Sequence, residues 1–188
     1  MQFSDIKKHL PNLLTMLRVL LVVPFVFFVL KDDFGSALII FVLAAVSDFF
    51  DGYLARKWSV ESMFGKIVDP LADKILLISS YVLFALLNHI PLYLAIVVVL
   101  KDVLIMLVVA MCKVSKIHLE FSPLMSSKIN TTIQLVYIFI VLACKYFYIN
   151  VPFIIELCSL FVCAFTVFSA AEYVEKYYWI KNAFCKNK

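Results

Sequence analysis

Four aspartates stand in an otherwise apolar stretch of the chain. Asp48 and Asp51 are three positions apart, and Asp69 and Asp73 are four apart. On a helix these spacings put each pair on one face, and the short connection between the pairs makes the two helices antiparallel neighbours, so the four carboxylates can converge. Negative charges held that close need cations. An all-oxygen donor set without clustered His or Cys favours a hard divalent ion, Mg2+ or Mn2+, over zinc, and four carboxylates suffice for two such ions. The chain has only three glycines, and two of them, Gly52 and Gly65, fall in this stretch, where a missing side chain lets backbone or ligand approach closely. Arg56 lies there too. The competing reading, scattered acids in a solvated loop, suits Asp32 and Asp33.

The elements that position these residues follow from the apolar runs. A helix needs about 20 apolar residues to span a bilayer, and six runs meet that need: about Leu13–Leu30, Ala37–Tyr53, Ile67–Leu87, Pro91–Cys112, Thr131–Tyr148 and Pro152–Tyr173. The breaks at Lys31-Asp32-Asp33, Asn88-His89-Ile90-Pro91 and Asn150-Val151-Pro152 predict tight turns. Residues 11–175 therefore read as a six-helix transmembrane domain. Met1–Leu10, mixing Phe3, Ile6 and Leu10 with Asp5, Lys7 and Lys8, reads as an amphipathic helix on the membrane surface. Residues 176–188 form a basic tail.

Charge sets the orientation. Lys7, Lys8, Arg56, Lys57, Lys66, Lys113, Lys116, Lys128, Lys176, Lys181, Lys186 and Lys188 all fall on one side of six alternating spans, and Lys31 and Lys145 on the other. The positive-inside rule places both termini and the acidic stretch on the cytoplasmic side, as expected for a bacterial inner membrane.

The whole composition agrees: of 188 residues, 64% are hydrophobic and 16% charged, and the mean hydropathy is +1.01. Too little polar surface remains to cover a water-soluble globule, which argues against a soluble enzyme, a disordered chain or a nucleic-acid binder. The net charge of +4 is accounted for by lysines flanking the spans. The five cysteines, Cys112, Cys144, Cys158, Cys163 and Cys185, lack CxxC spacing and read as small apolar side chains. The first apolar run carries Arg18 and no small-residue cleavage site, so no cleavable signal is expected.

Written out, the acidic stretch is Asp48-x2-Asp51-Gly52-x2-Ala55-Arg56-x8-Gly65-x3-Asp69-x3-Asp73. It resembles, at all eight specified positions, the signature of the CDP-alcohol phosphatidyltransferases. The opening Pro11-Asn12-Leu13-Leu14-Thr15-Met16-Leu17-Arg18 is similar to that of phosphatidylglycerophosphate synthases and related cardiolipin synthases, so the resemblance covers nearly the whole chain. It implies the CDP-alcohol phosphotransferase fold, an all-α integral membrane protein with six transmembrane helices, working as a homodimer. It also implies phospholipid biosynthesis: the phosphatidyl group of CDP-diacylglycerol passes to a glycerol-type acceptor with release of CMP.

The resemblance assigns roles residue by residue. Asp48, Asp51, Asp69 and Asp73 would hold two divalent ions on the pyrophosphate, with Asp73 also the general base. Gly52, Ala55 and Gly65 would leave room for the nucleotide and Arg56 would lie near the phosphates, although Arg56 also suits a positive-inside anchor. Arg18, a turn or two inside the first span, calls for an interior anion. Asn12 and Thr15, on the same helical side, are lesser candidates for nucleotide or acceptor contacts. Lys128 resembles the family lysine expected near an acceptor phosphate, with a flanking anchor as the alternative. Lys101 is an acceptor candidate, or else a structural ion pair with Asp102. Glu156 has no evident partner; His89 and His118 read as loop residues and His9 as part of the surface helix.

The acceptor is weighed between two. Phosphatidylglycerophosphate synthases carry Arg-Glu where Lys101-Asp102 stands, arginine at Val109, and Gly-Lys-x-Lys-Thr where Ser127-Lys128-Ile129-Asn130-Thr131 stands. These departures remove cations that would grip a dianionic phosphate. The back half is closer to cardiolipin synthases, which use phosphatidylglycerol. Glycerol 3-phosphate stays narrowly ahead because it is the commoner activity among chains of this length and opening. Two readings from other classes compete: a transporter, which predicts charges spread through the membrane depth, and a catalytically silent scaffold, which the four intact acids disfavour.

Overall fold

A computed structural model describes the backbone over residues 3–58, 65–114 and 125–186, and side chains over 16–47, 74–107 and 125–175. Six helices account for it: α1 (Phe3–Leu30), α2 (Phe34–Trp58), α3 (Gly65–Leu86), α4 (Leu92–Val114), α5 (Met125–Tyr146) and α6 (Pro152–Lys186). Among the described residues there is no strand. The expected runs map one to one onto these helices, which extend past them at several ends. The separate helix expected over Met1–Leu10 is, from Phe3, the first part of α1, which continues through Pro11 without a break. α5 begins at Met125 rather than Thr131. Its polar opening is absorbed into the helix, with Thr131 Oγ1 donating to the Ser127 carbonyl and Thr132 Oγ1 to the Lys128 carbonyl, each at 3.1 Å.

Among the described residues, two helices are long and apolar enough to cross a membrane by length and composition, Met125–Tyr146 and Pro152–Glu175; Met16–Leu30, Phe34–Ser47 and Lys74–Leu86 are shorter apolar helical segments.

The connections at 31–33, 87–91 and 147–151 share one design. After α1, the Asp33 N–H bonds to the Phe28 carbonyl and the Asp32 N–H to Val29. After α3, His89 bonds to Phe84 and Asn88 to Ala85. After α5, Ile149 bonds to Cys144 and Tyr148 to Lys145. These paired bonds satisfy the last helical carbonyls in the Schellman manner, which requires a left-handed residue that is usually glycine. Here Asp32 (φ 57°), Asn88 (φ 55°) and Tyr148 (φ 54°) fill that position.

The chain divides into two compact units, Met1–Leu83 with Ile138–Val151, and Phe84–Tyr137 with Pro152–Lys188. In the first, α1 packs on α2. Phe25 and Val29 of α1 are buried, as are Ala37, Phe41 and Ala44 of α2, and the Phe25 and Phe41 rings lie 5.9 Å apart. The alanines let the backbones approach closely. At Gly35 an added Cβ would lie 2.8 Å from Tyr146 Cε2, so the third glycine marks close passage of the α5 end over the start of α2.

In the second unit α4 packs on α6, and the polarity is reversed relative to a soluble protein. The buried stripe of α6 is Ser159, Val162, Thr166 and Ser169, whereas Phe153, Leu157, Phe161 and Phe168 are exposed. Small and polar residues inside with large apolar residues outside is the arrangement lipid favours.

Candidate active site

The backbone places the signature on two helix ends. Asp48, Asp51, Gly52, Ala55 and Arg56 lie in the last part of α2, Gly65 opens α3, and Asp69 and Asp73 follow within its first turns. Helical backbone at all four acids keeps the three- and four-residue spacings on a common face of each helix. Their side chains, and those of Asn12, Thr15, Ala55 and Arg56, lie outside the described residues, as do Cys112, His118 and Cys185. Among the described residues no three His, Cys, Asp or Glu side chains come together. The donor set of the signature is entirely carboxylate, which fits hard divalent ions.

The described candidates differ sharply in setting. Arg18 is 2% exposed and shares the buried stripe of α1 with Phe25 and Val29, so its charge is turned to the protein interior. Lys101 and Asp102 are both buried, with Lys101 Nζ 3.3 Å from Asp102 Oδ1. This is the ion pair that the sequence offers as one of two readings for Lys101. Adjacent helical residues do not face each other, so both side chains must bend to meet. Lys128 is exposed, while Asn130 and Gln134 form part of the buried face of α5. The three candidate cations therefore occupy three settings: interior, ion-paired and exposed.

Two polar clusters escape a reading of the sequence. Gln134 Nε2 donates to Thr166 Oγ1 at 3.1 Å, and Thr166 Oγ1 donates to Asn130 Oδ1 at 3.1 Å, joining α5 to α6 through fully buried groups. Tyr93 Oη donates to Glu156 Oε1 at 3.2 Å and lies 2.7 Å from Ser159 Oγ, which itself donates to the Glu156 carbonyl at 2.7 Å. Glu156, without an evident partner in the sequence, thus has one 63 residues away. The signal available was periodicity: Asn130 and Gln134 are one turn apart, and Ser159, Thr166 and Ser169 follow the seven- and three-residue spacing of one face.

The CDP-alcohol phosphatidyltransferase family model matches residues 8–172. The CMP-forming cardiolipin synthase of Rattus norvegicus is 31% identical over 185 residues, covering 90% of this chain and 60% of that protein. A CDP-diacylglycerol--glycerol-3-phosphate 3-phosphatidyltransferase of Wigglesworthia glossinidia brevipalpis is 35% identical over 182 residues, 92% of this chain and 94% of that protein. The enzyme of the same name from Cereibacter sphaeroides is 47% identical over 78 residues, 39% of this chain and 35% of its own. The chain thus spans about 60% of the length of the mammalian cardiolipin synthase it matches. With the eight-position signature on the ends of α2 and α3 and a match reaching from residue 8 to 172, the chain belongs to the CDP-alcohol phosphatidyltransferase family.

Proposed function

We propose that the chain is an integral membrane enzyme that transfers the phosphatidyl group of CDP-diacylglycerol to the hydroxyl of glycerol 3-phosphate and releases CMP. The observation that carries this is the complete signature on helical backbone within the family match. In this reading all six helices cross the bilayer, the first turns of α1 emerge on the cytoplasmic side, the basic residues 176–188 stay cytoplasmic, and the acids face the cytoplasm. The working unit is a homodimer in a bacterial inner membrane.

Asp48, Asp51, Asp69 and Asp73 are the residues that would hold two Mg2+ or Mn2+ ions, which when bound neutralise the pyrophosphate and the departing phosphate of CMP. The protein does the rest by placement. Gly52, Ala55 and Gly65 leave room for the nucleotide, and Arg56 lies by its phosphates. Asp73 takes the proton from the acceptor hydroxyl. The acceptor oxygen then bonds to the phosphorus carrying diacylglycerol as the bond from that phosphorus to the CMP oxygen breaks, and CMP leaves with the electron pair. Arg18, Lys101 and Lys128, with Asn12 and Thr15 as lesser contacts, receive the acceptor.

A second reading, phosphatidylglycerol as acceptor in the manner of a cardiolipin synthase, is favoured by one feature. Lys101 is engaged by Asp102, which lowers the net positive charge offered to a dianion. Purified protein in detergent with CDP-diacylglycerol and Mg2+, offered glycerol 3-phosphate, phosphatidylglycerol, serine or inositol phosphate in turn, separates the two. CMP release with glycerol 3-phosphate alone is the expected result; release with phosphatidylglycerol alone selects the second reading. An intact fold that releases CMP with none of them returns the chain to the transporter and scaffold readings.

A further inference from the structure

We propose that Arg18 is the built-in counter-cation of Asp48 and Asp51. It balances these two acids before a divalent ion is bound, and it makes their uptake of such ions depend on the liponucleotide. The inference rests on the transferase reading above, which gives the two acids their role. It uses only α1 and α2, which belong to one compact unit and pack on each other.

The register of the two helices carries it. Phe25 of α1 meets Phe41 of α2, with ring centroids 5.9 Å apart, and both are buried, as are Val29, Ala37 and Ala44. The helices run in opposite directions from the short turn at Lys31-Asp32-Asp33. Seven residues farther from that turn, about two helical turns, Phe25 is followed by Arg18 on α1 and Phe41 by Asp48 on α2. Asp51 lies seven beyond Ala44, so positions 48 and 51 both continue the face that carries Ala37, Phe41 and Ala44. The α2 backbone stays helical as far as Trp58, which keeps that face continuous. Arg18 occupies the matching face of α1, buried in line with Phe25 and Val29. A helical side chain leans toward the N-terminus of its helix, and for Arg18 that is the direction in which α2 runs from position 48 to position 51.

A guanidinium remains charged inside a protein, so a buried one requires an anion nearby. At this level α2 supplies two. The same positive charge opposes a divalent ion on those acids, because like charges a few ångströms apart repel strongly in a medium less polar than water. The pyrophosphate of CDP-diacylglycerol brings negative charge that offsets the repulsion. Ions and liponucleotide therefore bind better together than apart, and by linkage each raises the affinity of the other by the same factor. With five N–H donors, Arg18 can hold the two acids and still present an edge to the acceptor.

The test uses the full chain in detergent and needs no turnover. Manganese binding is followed by electron paramagnetic resonance with and without CDP-diacylglycerol. In wild type the liponucleotide should tighten Mn2+ binding at least about tenfold, within the usual range for coupling between sites. Arg18→Gln should bind Mn2+ alone about tenfold more tightly than wild type does, and the enhancement by CDP-diacylglycerol should shrink to match. Arg18→Lys retains the charge and should restore the wild-type pattern. A merely structural role would instead weaken binding in both conditions. Melting in the presence of a chelator tests the pairing itself. Arg18→Gln should lower the melting point, excess Mn2+ should restore it, and adding Asp48→Asn or Asp51→Asn should cost less than the sum of the single changes.

Wild-type protein that binds Mn2+ equally well with and without CDP-diacylglycerol would overturn the proposal and leave the transferase reading standing. An Arg18→Gln chain that binds Mn2+ no more tightly than wild type would do the same. The wild-type comparison requires no variant, so it decides the proposal even if Arg18→Gln fails to fold. If wild type binds no Mn2+ and releases no CMP with any acceptor, the transferase reading fails and the melting series decides the pairing separately. Non-additive losses then support it; additive losses with both aspartates overturn it.

Discussion

Asp33 shows how one residue can change meaning between sequence and structure. Its carboxylate accepts the Ser36 N–H at 3.1 Å and the Ser36 hydroxyl at 2.7 Å, capping the start of α2. The Ser36 hydroxyl bond, then the backbone bond, holds its pKa below the ordinary carboxylate value. A lowered pKa means that the cap contributes above the unfolded value and is lost as pH falls through the folded one. Helicity at the α2 start should therefore decline below about pH 4 in wild type. The Asp33→Asn variant keeps a capping oxygen without a titrating group, so its circular dichroism should lose this acid step. An identical acid profile would remove the cap from the account. In the sequence Asp33 looks like a solvated acid, because the serine that uses it is identified only once the helix start is known.

Lys101 and Lys128 give opposite expectations at the same scale. Removing the Lys101 ammonium takes away an opposite charge 3.3 Å from buried Asp102. Lys101→Met should cost roughly 3 to 5 kcal/mol of stability, and Lys101→Met with Asp102→Leu much less, since breaking a buried pair is worse than replacing it. Equal melting points for single and double variants would contradict this. Lys128 is exposed, so Lys128→Ala should leave the melting point unchanged and raise acceptor KM well above any change in CDP-diacylglycerol KM. Equal losses for both substrates would reduce Lys128 to a membrane anchor.

At the scale of elements, hydrophobic runs and short polar breaks locate every helix, because lipid-length apolar segments and turn residues act locally. Ends are less legible. Proline at position 11 suggests a boundary, yet α1 continues through it, as neighbouring groups allow in apolar helices. The polar start of α5 lies ahead of the apolar run that opens at Thr131, yet its threonines bond their own helix. The turn at Tyr148 offers a direct check. Its ring is almost fully exposed while its backbone sits at φ 54°. A left-handed residue with a side chain costs about 1–2 kcal/mol, so Tyr148→Gly should stabilise the protein by about 1 kcal/mol in detergent. A lower melting point would mean that the ring anchors the chain by more than the backbone strain costs.

Across the whole molecule the legible part is the chemistry carried by contiguous residues. Eight specified positions within one stretch can be read without knowing any tertiary contact. What the sequence withholds depends on residues far apart: Tyr93 with Glu156, and Asn130 and Gln134 with Thr166. Both clusters consist of ordinary polar residues in apolar runs, and only helix packing makes them partners. The outward Phe and Leu residues of α6 against its inward Ser and Thr complete a pattern that composition alone announces only in bulk.

Four carboxylates on α2 and α3 that gather divalent ions around a liponucleotide are the foundation of the proposed chemistry. Manganese titration of the full chain in detergent, followed by electron paramagnetic resonance, tests them most directly. Two bound Mn2+ per chain in the presence of CDP-diacylglycerol, lost on Asp48→Asn with Asp69→Asn while the melting point holds, is the predicted result. A folded wild-type protein that leaves all the manganese free, or a double variant that binds it as well as wild type, would contradict the account.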